Sequence, residues 1–294
     1  MREVVRRMQR AAQADCPVVI WGEAGTGKKF MAEVIHRRSR REGAPLVVFR
    51  PTDLDATDGR SLEDELFGNE REPGRLSEAE GGTCLIDEIT DLPATAQAKL
   101  LAAAEGRDSF ARAGAGQQPL DFRLMATTRL DPAESVWRGG LREDLHYRIG
   151  VVAIHMPPLR ERREDLPELI QELLIALCAN RAKTVPLVEP DLVQAALAHP
   201  WPGNVVQLRD CLEGMMLTGE TSTLSADRLR ITLAGGRAGF PESRSSEEVA
   251  TLARLERAAV LHALDVHEGN RTQAARSLGI SVRTLQRKLR RWQT

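Results

Sequence analysis

The sequence predicts an α/β fold with a mostly parallel sheet, then a helical second domain and a small, basic, all-α third unit. Three observations lead to this architecture. Apolar strand segments alternate with helical segments up to residue 158, and from Leu159 onwards only helical patterns remain. From Thr251 on, nine basic residues stand against three acidic ones, a net charge of +6 that leaves −7 for the preceding residues. Such alternation gives a parallel sheet covered on both faces, and the charge asymmetry marks the basic end as a functional unit of its own.

The size and composition of the chain are ordinary for a globular protein. Its 294 residues, 42% apolar and 28% charged, are enough for about two domains. No apolar run is long enough to cross a bilayer, and the charged residues 1–7 lack a signal-peptide core, so we expect a cytoplasmic protein without a membrane partner. The cysteines lack the spacing of a disulfide frame or a zinc site, which favours buried free thiols. They are Cys16, Cys84, Cys178 and Cys211.

A glycine-rich loop follows the first predicted strand. Residues 18–28 read Val-Val-Ile-Trp-Gly-Glu-Ala-Gly-Thr-Gly-Lys, which satisfies the pattern G-x-x-x-x-G-K. In such a loop the backbone N–H groups close around a polyphosphate and the lysine reaches the outer phosphates. A flexible glycine turn is the alternative, but the strand before the loop and the helical segment Phe30–His36 after it favour phosphate binding. The predicted nucleotide contacts are Gly22, Glu23, Ala24, Gly25, Thr26, Gly27, Lys28 and Lys29.

Two further buried strands are predicted at Leu46–Phe49 and Thr83–Ile86, and the second runs into Asp87 and Glu88. When it follows a phosphate loop in the chain, an apolar strand that ends in adjacent carboxylates is typical of sites that hydrolyse ATP. Asp87 would hold Mg²⁺ through water, and Glu88 would polarise the attacking water. The alternative is a strand that ends in an acidic turn. The expected cofactors are ATP and Mg²⁺.

The remaining patterns complete the predicted domains. We predict helices over residues 1–14 and 94–105, a strand over 122–127, and then helices over 164–180, 190–199, 204–218 and 225–233. The resulting boundaries are an α/β nucleotide-binding domain at 1–158, a helical domain at 159–234, a linker at 235–250 and the basic unit at 251–294. The linker is rich in glycine and serine.

The basic unit has the pattern of a helix, a tight turn and a helix. Leu252–Val266 is apolar on two faces and is predicted to dimerise. Ser281 is a predicted N-cap for a last helix whose apolar stripe leaves basic side chains outward. A two-fold dimer reads an inverted-repeat DNA site. The predicted DNA contacts are Arg283, Thr284, Gln286, Arg287, Lys288 and Arg290.

Together these motifs resemble a known family. The blocks that carry the resemblance are residues 22–28, Glu65-Leu-Phe-Gly68, Gly81-Gly-Thr83 with Asp87-Glu-Ile89, Leu141-Arg-Glu-Asp-Leu145 with Tyr147-Arg148, Pro157-Pro-Leu-Arg-Glu-Arg162 and Trp201-Pro-Gly-Asn204. They resemble the AAA+ central domain of the bacterial sigma-54-dependent activators with its helical lid, followed by a Fis-type helix-turn-helix domain. The resemblance covers nearly the whole chain.

The resemblance implies a hexameric or heptameric ring that binds ATP between subunits and acts on the RNA polymerase holoenzyme. Arg142 and Arg148 look like the arginines that reach the ATP of the neighbouring subunit; two solvated arginines are the alternative. Arg209 is expected to contact nucleotide from the lid. The family, which includes response regulators, often carries an N-terminal receiver or sensor domain. Because none precedes Met1, we expect either a partner that supplies the signal or an excised fragment of a longer protein.

Several residues depart from the family pattern. The Gly-Ala-Phe-Thr-Gly-Ala loop that contacts sigma-54 is missing: Glu70 is followed by three residues before Gly74, and three residues span at most about 10 Å. Arg50 replaces an asparagine that restrains the catalytic glutamate, Thr128 replaces a sensor asparagine and Val206 replaces an arginine. We therefore expect slow hydrolysis. Lys29 stands where phosphate loops commonly place a magnesium-binding hydroxyl, and it either helps to hold phosphates or points to solvent.

Three functions are compatible with the sequence. The first, which we favour, is a DNA-binding regulator whose ATP state controls ring assembly and which acts without sigma-54 contact. The second is a working sigma-54-dependent activator that remodels RNA polymerase; Glu88, Arg142 and Arg148 support it and the missing loop opposes it. The third is an ATP-dependent unfoldase or clamp loader, which the Trp201 block and the basic C-terminal unit make improbable.

Overall fold

The computed structural model describes residues 1–53, 61–69, 72–106, 110–112, 116–179, 184–217, 223–236 and 273. The chain divides into two compact units, Met1–Gly235 and Gly236–Thr294. The predicted dimerisation segment and all six predicted DNA contacts lie outside the described residues, as does the 237–250 part of the predicted linker.

Nine strands are present in the described residues. In chain order they are β1 (Val18–Trp21), β2 (Leu46–Phe49), β3 (Thr83–Ile86), β4 (Phe110–Arg112), β5 (Gly116–Gln118), β6 (Arg123–Thr128), β7 (Val152–His155), β8 (Leu187–Val188) and β9 (Thr223–Leu224). Five of them form one sheet in the order β2-β3-β6-β1-β7, and every neighbouring pair is parallel. The predicted parallel sheet is confirmed. Its strands all end at the same edge, where the phosphate loop begins.

Eleven helices accompany these strands. They are α1 (Arg2–Gln13), α2 (Lys28–Arg37), α3 (Leu62–Phe67), α4 (Arg75–Glu78), α5 (Ala94–Ala104), α6 (Pro132–Trp137), α7 (Glu143–Ile149), α8 (Leu166–Ala179), α9 (Pro190–Ala198), α10 (Asn204–Leu217) and α11 (Ala226–Gly236). Short 3₁₀ turns occur at Pro51–Asp53, Ile89–Asp91, Leu159–Glu161 and Arg163–Asp165. The predicted helices begin and end within a few residues of the observed ones.

Some elements differ from the prediction. Residues after Leu159 are not purely helical, because β8 and β9 form a short parallel pair there. The edge strand β7 and the antiparallel hairpin of β4 and β5 were also not predicted. Strands of two or three residues are too short to display an apolar pattern, so β4, β5, β8 and β9 are recognised only once their pairing partner is known.

Apolar side chains cover both faces of the sheet. On one face Val19, Cys84 and Ile86 pack against helices α3, α4, α5 and α7. On the other face Val18, Ile20 and Met125 pack against α1 and α2. This alternation along β1 follows from the two-residue period of a strand. It fixes the register of the sheet, because a slip by one residue would exchange the two faces.

A second apolar core holds the helical domain together, and Trp201 lies in it. The indole is 1% exposed, and its Nε1–H donates to the Ala196 carbonyl at 2.8 Å. The His199 ring packs edge-on against it with the ring centres 4.5 Å apart. Helices α8, α9 and α10 contribute the surrounding side chains. Trp201 therefore stabilises the chain segment that leads into α10.

The four cysteines are free thiols, and Cys84, Cys178 and Cys211 are buried, whereas Cys16 is half-buried. Burial raises the pKa of the Cys84 thiol to about 12 and that of Cys211 to about 11. Thiols of this kind are protonated at neutral pH and serve packing. Within the described part of the chain, no helix is both long and apolar enough to span a membrane.

Replacement of Trp201 tests its role in the helical domain. We expect Trp201→Ala to lower the free energy of unfolding by about 3 to 5 kcal/mol, because it removes a fully buried ring and leaves a cavity. Trp201→Phe fills most of that volume but loses the indole donor, so its effect should be smaller. Urea unfolding followed by circular dichroism measures both. Equal stabilities of the alanine variant and the wild type would contradict the assignment.

Candidate nucleotide-binding site

The phosphate loop connects the end of β1 to the start of α2. Gly22, Gly25 and Gly27 have φ angles of +147°, +77° and +99°, a region that glycine adopts without steric cost. A Cβ atom at Gly22 would lie 2.4 Å from the Met156 carbonyl oxygen, and one at Gly25 would lie 2.3 Å from the Gly203 carbonyl oxygen. All three glycines are therefore needed for the backbone conformation, and Gly22 and Gly25 also for close packing. They leave the loop N–H groups at the start of a helix, where anions bind.

Lys28 is enclosed by the loop and by the end of the third strand. Its ammonium donates to the Gly22 carbonyl at 2.9 Å and lies 3.4 Å from the Glu23 carbonyl. It also pairs with Glu88, with 3.0 Å between Nζ and Oε1, and the two side chains are only 7% and 12% exposed. The structure thus brings together the phosphate-binding lysine and the predicted catalytic carboxylate.

The two acidic residues after β3 are held by Thr127 on the neighbouring strand β6. The Thr127 hydroxyl donates to Asp87 Oδ1 at 2.6 Å and accepts from the Glu88 backbone N–H at 2.8 Å. Glu88 has a φ angle of +62°, an unusual conformation for a non-glycine residue that often marks functional sites. Its Oε2 is buried and has no hydrogen-bond partner within the described residues, and Arg129 Nε lies 3.6 Å away.

Arg50, which stands where the family has an asparagine, pairs with Asp87. Its Nε and Nη2 donate to Asp87 Oδ2 at 2.9 and 2.5 Å. The register explains the pair: Phe49 lies beside Ile86, so the next residues of β2 and β3 are neighbours. Burial of Asp87 opposes ionisation, but hydrogen bonds from Thr127 and Arg50 outweigh it and hold the pKa of this carboxyl below its ordinary value.

The residues around Asp87 offer a divalent cation few ligands. Both carboxylate oxygens of Asp87 already accept hydrogen bonds. Lys29, at the position of the usual hydroxyl ligand, is exposed and carries a positive charge. In the described ranges no group of three or more His, Cys, Asp and Glu could hold a metal ion. Asp87 therefore has no carboxylate oxygen without a hydrogen bond, and the assignment of Mg²⁺ to Asp87 through water stays a prediction.

The helical domain contacts the phosphate loop directly. Arg160 forms two hydrogen bonds with the Glu23 carboxylate, at 2.7 and 2.5 Å. This contact, opposed by partial desolvation, lowers the pKa of Glu23. Arg162 Nη2 donates to the Thr26 carbonyl at 2.8 Å, and the Val205 N–H donates to the Gly25 carbonyl at 2.9 Å. In the sequence, Arg160 and Arg162 are recognisable only as part of a family motif, and their contacts with the loop were not predicted.

Asn204 joins the two domains through its side chain. Its amide Nδ2 donates to the Ala24 carbonyl at 2.9 Å and lies 3.2 Å from Glu23 Oε2. Its Oδ1 accepts from the Leu159 N–H at 2.8 Å. The residue is fully buried and has a φ angle of +52°, which asparagine tolerates better than most side chains. These contacts give the Trp-Pro-Gly-Asn block a structural role at the nucleotide site.

The other predicted site residues lie around this centre. Thr128 is buried beside the loop, its carbonyl accepts from the Gly22 N–H at 3.1 Å, and its hydroxyl has no hydrogen-bond partner among the residues that the structure describes. Arg142 and Arg148 are exposed at the two ends of α7; the first pairs with Asp144 and the second donates to the Ala104 carbonyl. Arg209 is exposed on α10. The roles of these three arginines stay predictions.

The chain turns tightly where the family places its sigma-54 loop. Gly68 and Pro73 pair as an antiparallel bridge. Inside it, the Asn69 N–H donates to the Glu72 carbonyl at 2.9 Å and the Glu72 N–H donates to Asn69 Oδ1 at 3.0 Å. A Cβ atom at Gly68 would lie 2.4 Å from the Gly74 nitrogen. The two ends of the turn are therefore in direct contact, between α3 and α4.

Substitution of Asn204 tests the junction between the loop and the helical domain. We expect Asn204→Ala to reduce the free energy of unfolding by about 2 kcal/mol or more, because the buried Leu159 N–H and Ala24 carbonyl lose their partner. Asn204→Gly should be about 1 kcal/mol less damaging, since glycine adopts positive φ freely. Thermal and urea unfolding compare the two. If both variants match the wild type, the side chain does not join the domains.

Comparisons with known proteins agree with this architecture. Residues 1–155 match the family model of the sigma-54 interaction domain, residues 160–246 that of the AAA+ ATPase lid domain, and residues 251–292 that of bacterial regulatory proteins of the Fis family. These ranges follow the predicted order of domains.

Individual relatives are similar over almost the whole chain. The transcriptional regulatory protein ZraR of Klebsiella oxytoca is 37% identical over 303 residues, which cover 99% of this chain and 67% of ZraR. The Nif-specific regulatory protein of Azotobacter vinelandii is 36% identical, with 97% and 56% covered. The crystal structure of NtrX from Brucella abortus in complex with ATP has a TM-score of 0.69 at 28% identity, with 99% and 67% covered. The chain therefore belongs to the family of sigma-54-dependent bacterial transcriptional regulators, with an AAA+ domain, its lid and a Fis-type DNA-binding domain.

Proposed function

We propose that this protein is an ATP-binding, sequence-specific DNA-binding transcription regulator that acts without contact to sigma-54, and that ATP controls its assembly into a ring. The observation that carries the proposal is the turn between Gly68 and Pro73. Only the four residues 69–72 separate this pair, which are too few for the loop that contacts sigma-54 in the family. An activator of this family would need a segment there that reaches the polymerase.

Nucleotide binding is supported by the phosphate loop itself. Its N–H groups precede α2, and Lys28 is held at the same place by Gly22 and Glu88. The similar NtrX protein was crystallised with ATP and with ADP. We propose that ATP is the ligand here, and that Mg²⁺ accompanies it on the phosphates. Binding rests on the backbone and Lys28, so it should survive the changes at Thr128 and Val206.

ATP turnover should be slow and should depend on assembly. Glu88 is the group that would polarise water, and its backbone is fixed by Thr127. Arg142 and Arg148 are exposed on α7 and would act on ATP bound by a neighbouring subunit, as arginine fingers do when they stabilise charge in the transition state. A hexameric or heptameric ring would supply that neighbour, and Arg209 on the lid would contact the nucleotide. Hydrolysis would thus report the formation of the ring.

DNA binding is assigned to residues 251–294. We propose a dimer through Leu252–Val266 that reads an inverted repeat, because one short helix buries too little surface for tight specific binding. Arg283, Gln286 and Arg287 would meet base edges, and Lys288, Arg290 and Arg291 would contact phosphates, with Thr284 as a further DNA contact. The RNA polymerase holoenzyme is the proposed partner at the promoter, in the cytoplasm.

A second candidate function is that of a working sigma-54-dependent activator that remodels RNA polymerase. The buried pair of Lys28 and Glu88 favours it, because a site that only sensed ATP would not need a carboxylate poised beside the lysine. Membership of the family favours it as well. The closed turn at Gly68–Pro73 argues against it.

Substitution of the loop lysine tests nucleotide binding. We expect Lys28→Ala to weaken ATP affinity at least about tenfold, since it removes a cation at the phosphates. Lys28→Ala also leaves the buried Glu88 carboxylate without its cation. The double variant Lys28→Ala/Glu88→Gln should therefore recover folding stability without recovering affinity for ATP. Lys99→Ala, on α5, is the control with an exposed lysine outside the site. Calorimetric titration with ATP measures affinity; equal values for Lys28→Ala and the wild type would exclude the assigned site.

Reconstituted transcription distinguishes the two functions. We expect purified protein with ATP to alter transcription from its native promoter by polymerase that carries the vegetative sigma factor, and to leave the sigma-54 holoenzyme unaffected. Glu88→Gln, which should bind ATP without hydrolysing it, should keep this effect if the ring only senses ATP. Activation of the sigma-54 holoenzyme that disappears in Glu88→Gln would overturn the first function and establish the second.

A further inference from the structure

We propose that Arg50 and Mg²⁺ compete for the Asp87 carboxylate, so that this chain binds ATP with little help from the metal. The inference rests on the proposed function, since it concerns how ATP is held at the same site. It starts from the contact between an arginine at the end of β2 and the acid at the end of β3.

The hydrogen bonds leave the carboxylate little freedom. Oδ2 accepts two N–H groups of the guanidinium, and Oδ1 accepts the Thr127 hydroxyl. Thr127 cannot easily turn away, because the same hydroxyl accepts from the Glu88 backbone. A hydrated cation that used Oδ2 would therefore have to displace Arg50 first.

The exposure of the two partners makes such an exchange feasible. Asp87 is 8% exposed at the base of the site, whereas the Arg50 side chain is 43% exposed and enters from the surface. A guanidinium stays charged at every physiological pH, so it neutralises Asp87 at all times. Hydrogen bonds between a guanidinium and a carboxylate are also stronger than those between neutral groups, and Arg50 donates two of them to Oδ2. Arg50 is thus a built-in counter-ion at the position where a metal would act.

The charges around the phosphates support the same conclusion. In a metal-dependent site an unpaired carboxylate repels free ATP, and the metal screens that repulsion. Here Arg50 removes the repulsion, and Lys29 adds a positive charge where a hydroxyl ligand would stand. Metal-free ATP should therefore bind almost as tightly as Mg²⁺–ATP. Arg50 is a positioning residue that sets the metal dependence of the site.

Calorimetric titration with the non-hydrolysable analogue adenosine 5′-(β,γ-imido)triphosphate tests the proposal. Each variant of the full chain is titrated once with excess Mg²⁺ and once with EDTA. For the wild type we expect the two affinities to agree within about threefold, because the counter-ion is already present. For Arg50→Gln we expect Mg²⁺ to strengthen binding at least about tenfold, because Asp87 is then unpaired and open to the metal.

Two further variants make the result specific. Arg50→Lys keeps the positive charge. The ratio of its affinities with Mg²⁺ and with EDTA should therefore stay near that of the wild type. Arg138→Gln removes an exposed arginine that pairs with Glu134 on α6, and it should leave the ratio unchanged. Addition of Asp87→Asn to Arg50→Gln should abolish the gain from Mg²⁺, because the carboxylate that attracts the metal is gone.

The outcomes separate this inference from the proposed function. A wild-type affinity that rises tenfold or more with Mg²⁺, or a ratio that Arg50→Gln does not change, would overturn the competition while leaving ATP binding intact. Failure of the wild type to bind the analogue in both buffers would overturn the proposed function and the inference together. Thermal unfolding of each variant without nucleotide confirms that the compared proteins are folded.

Discussion

The buried contact between Lys28 and Glu88 is the interaction on which the site depends. Each charge would be costly to bury alone, and each is stabilised here by the other. The pair forms because β1 and β3 run parallel on either side of β6, so the loop after one strand and the acids after the other meet at one edge of the sheet. Thr127 at the end of β6 completes the arrangement by fixing both acidic residues. The order of the strands in the sheet thus brings the phosphate-loop lysine and the two acidic residues together.

Much of this could be predicted from the sequence. The strands Leu46–Phe49 and Thr83–Ile86 are confirmed residue for residue, because continuous apolar runs bounded by polar residues are typical of buried parallel strands. The loop and its lysine were recognised because their chemistry depends on residues close together in sequence. The family assignment is confirmed, since several motifs occur in the expected order.

The contacts between distant residues could not be predicted in the same way. Arg50 was identified as a departure from the family, but its partner Asp87 is known only from the register of β2 against β3. The link from Asn204 to Ala24 joins residues 180 positions apart, and no periodicity reports such a pair. Thr128 and Val206 are similar cases: the substitution is visible in the sequence, whereas its surroundings depend on packing. Local sequence patterns determine the strands and helices. The side-chain contacts of the site depend on how those strands and helices are placed relative to one another.

The hydrogen bond from the Val205 N–H to the Gly25 carbonyl has a mechanical consequence. It attaches the first turn of α10 to the middle of the phosphate loop, beside the closely packed Gly25 and Gly203. A helix of 14 residues is about 21 Å long, so a tilt of about 5° at the loop would displace its far end by about 2 Å. The orientation of α10 is therefore coupled at its first turn to the backbone of the phosphate loop, and any change of that orientation would be largest at Leu217, the last residue of the helix.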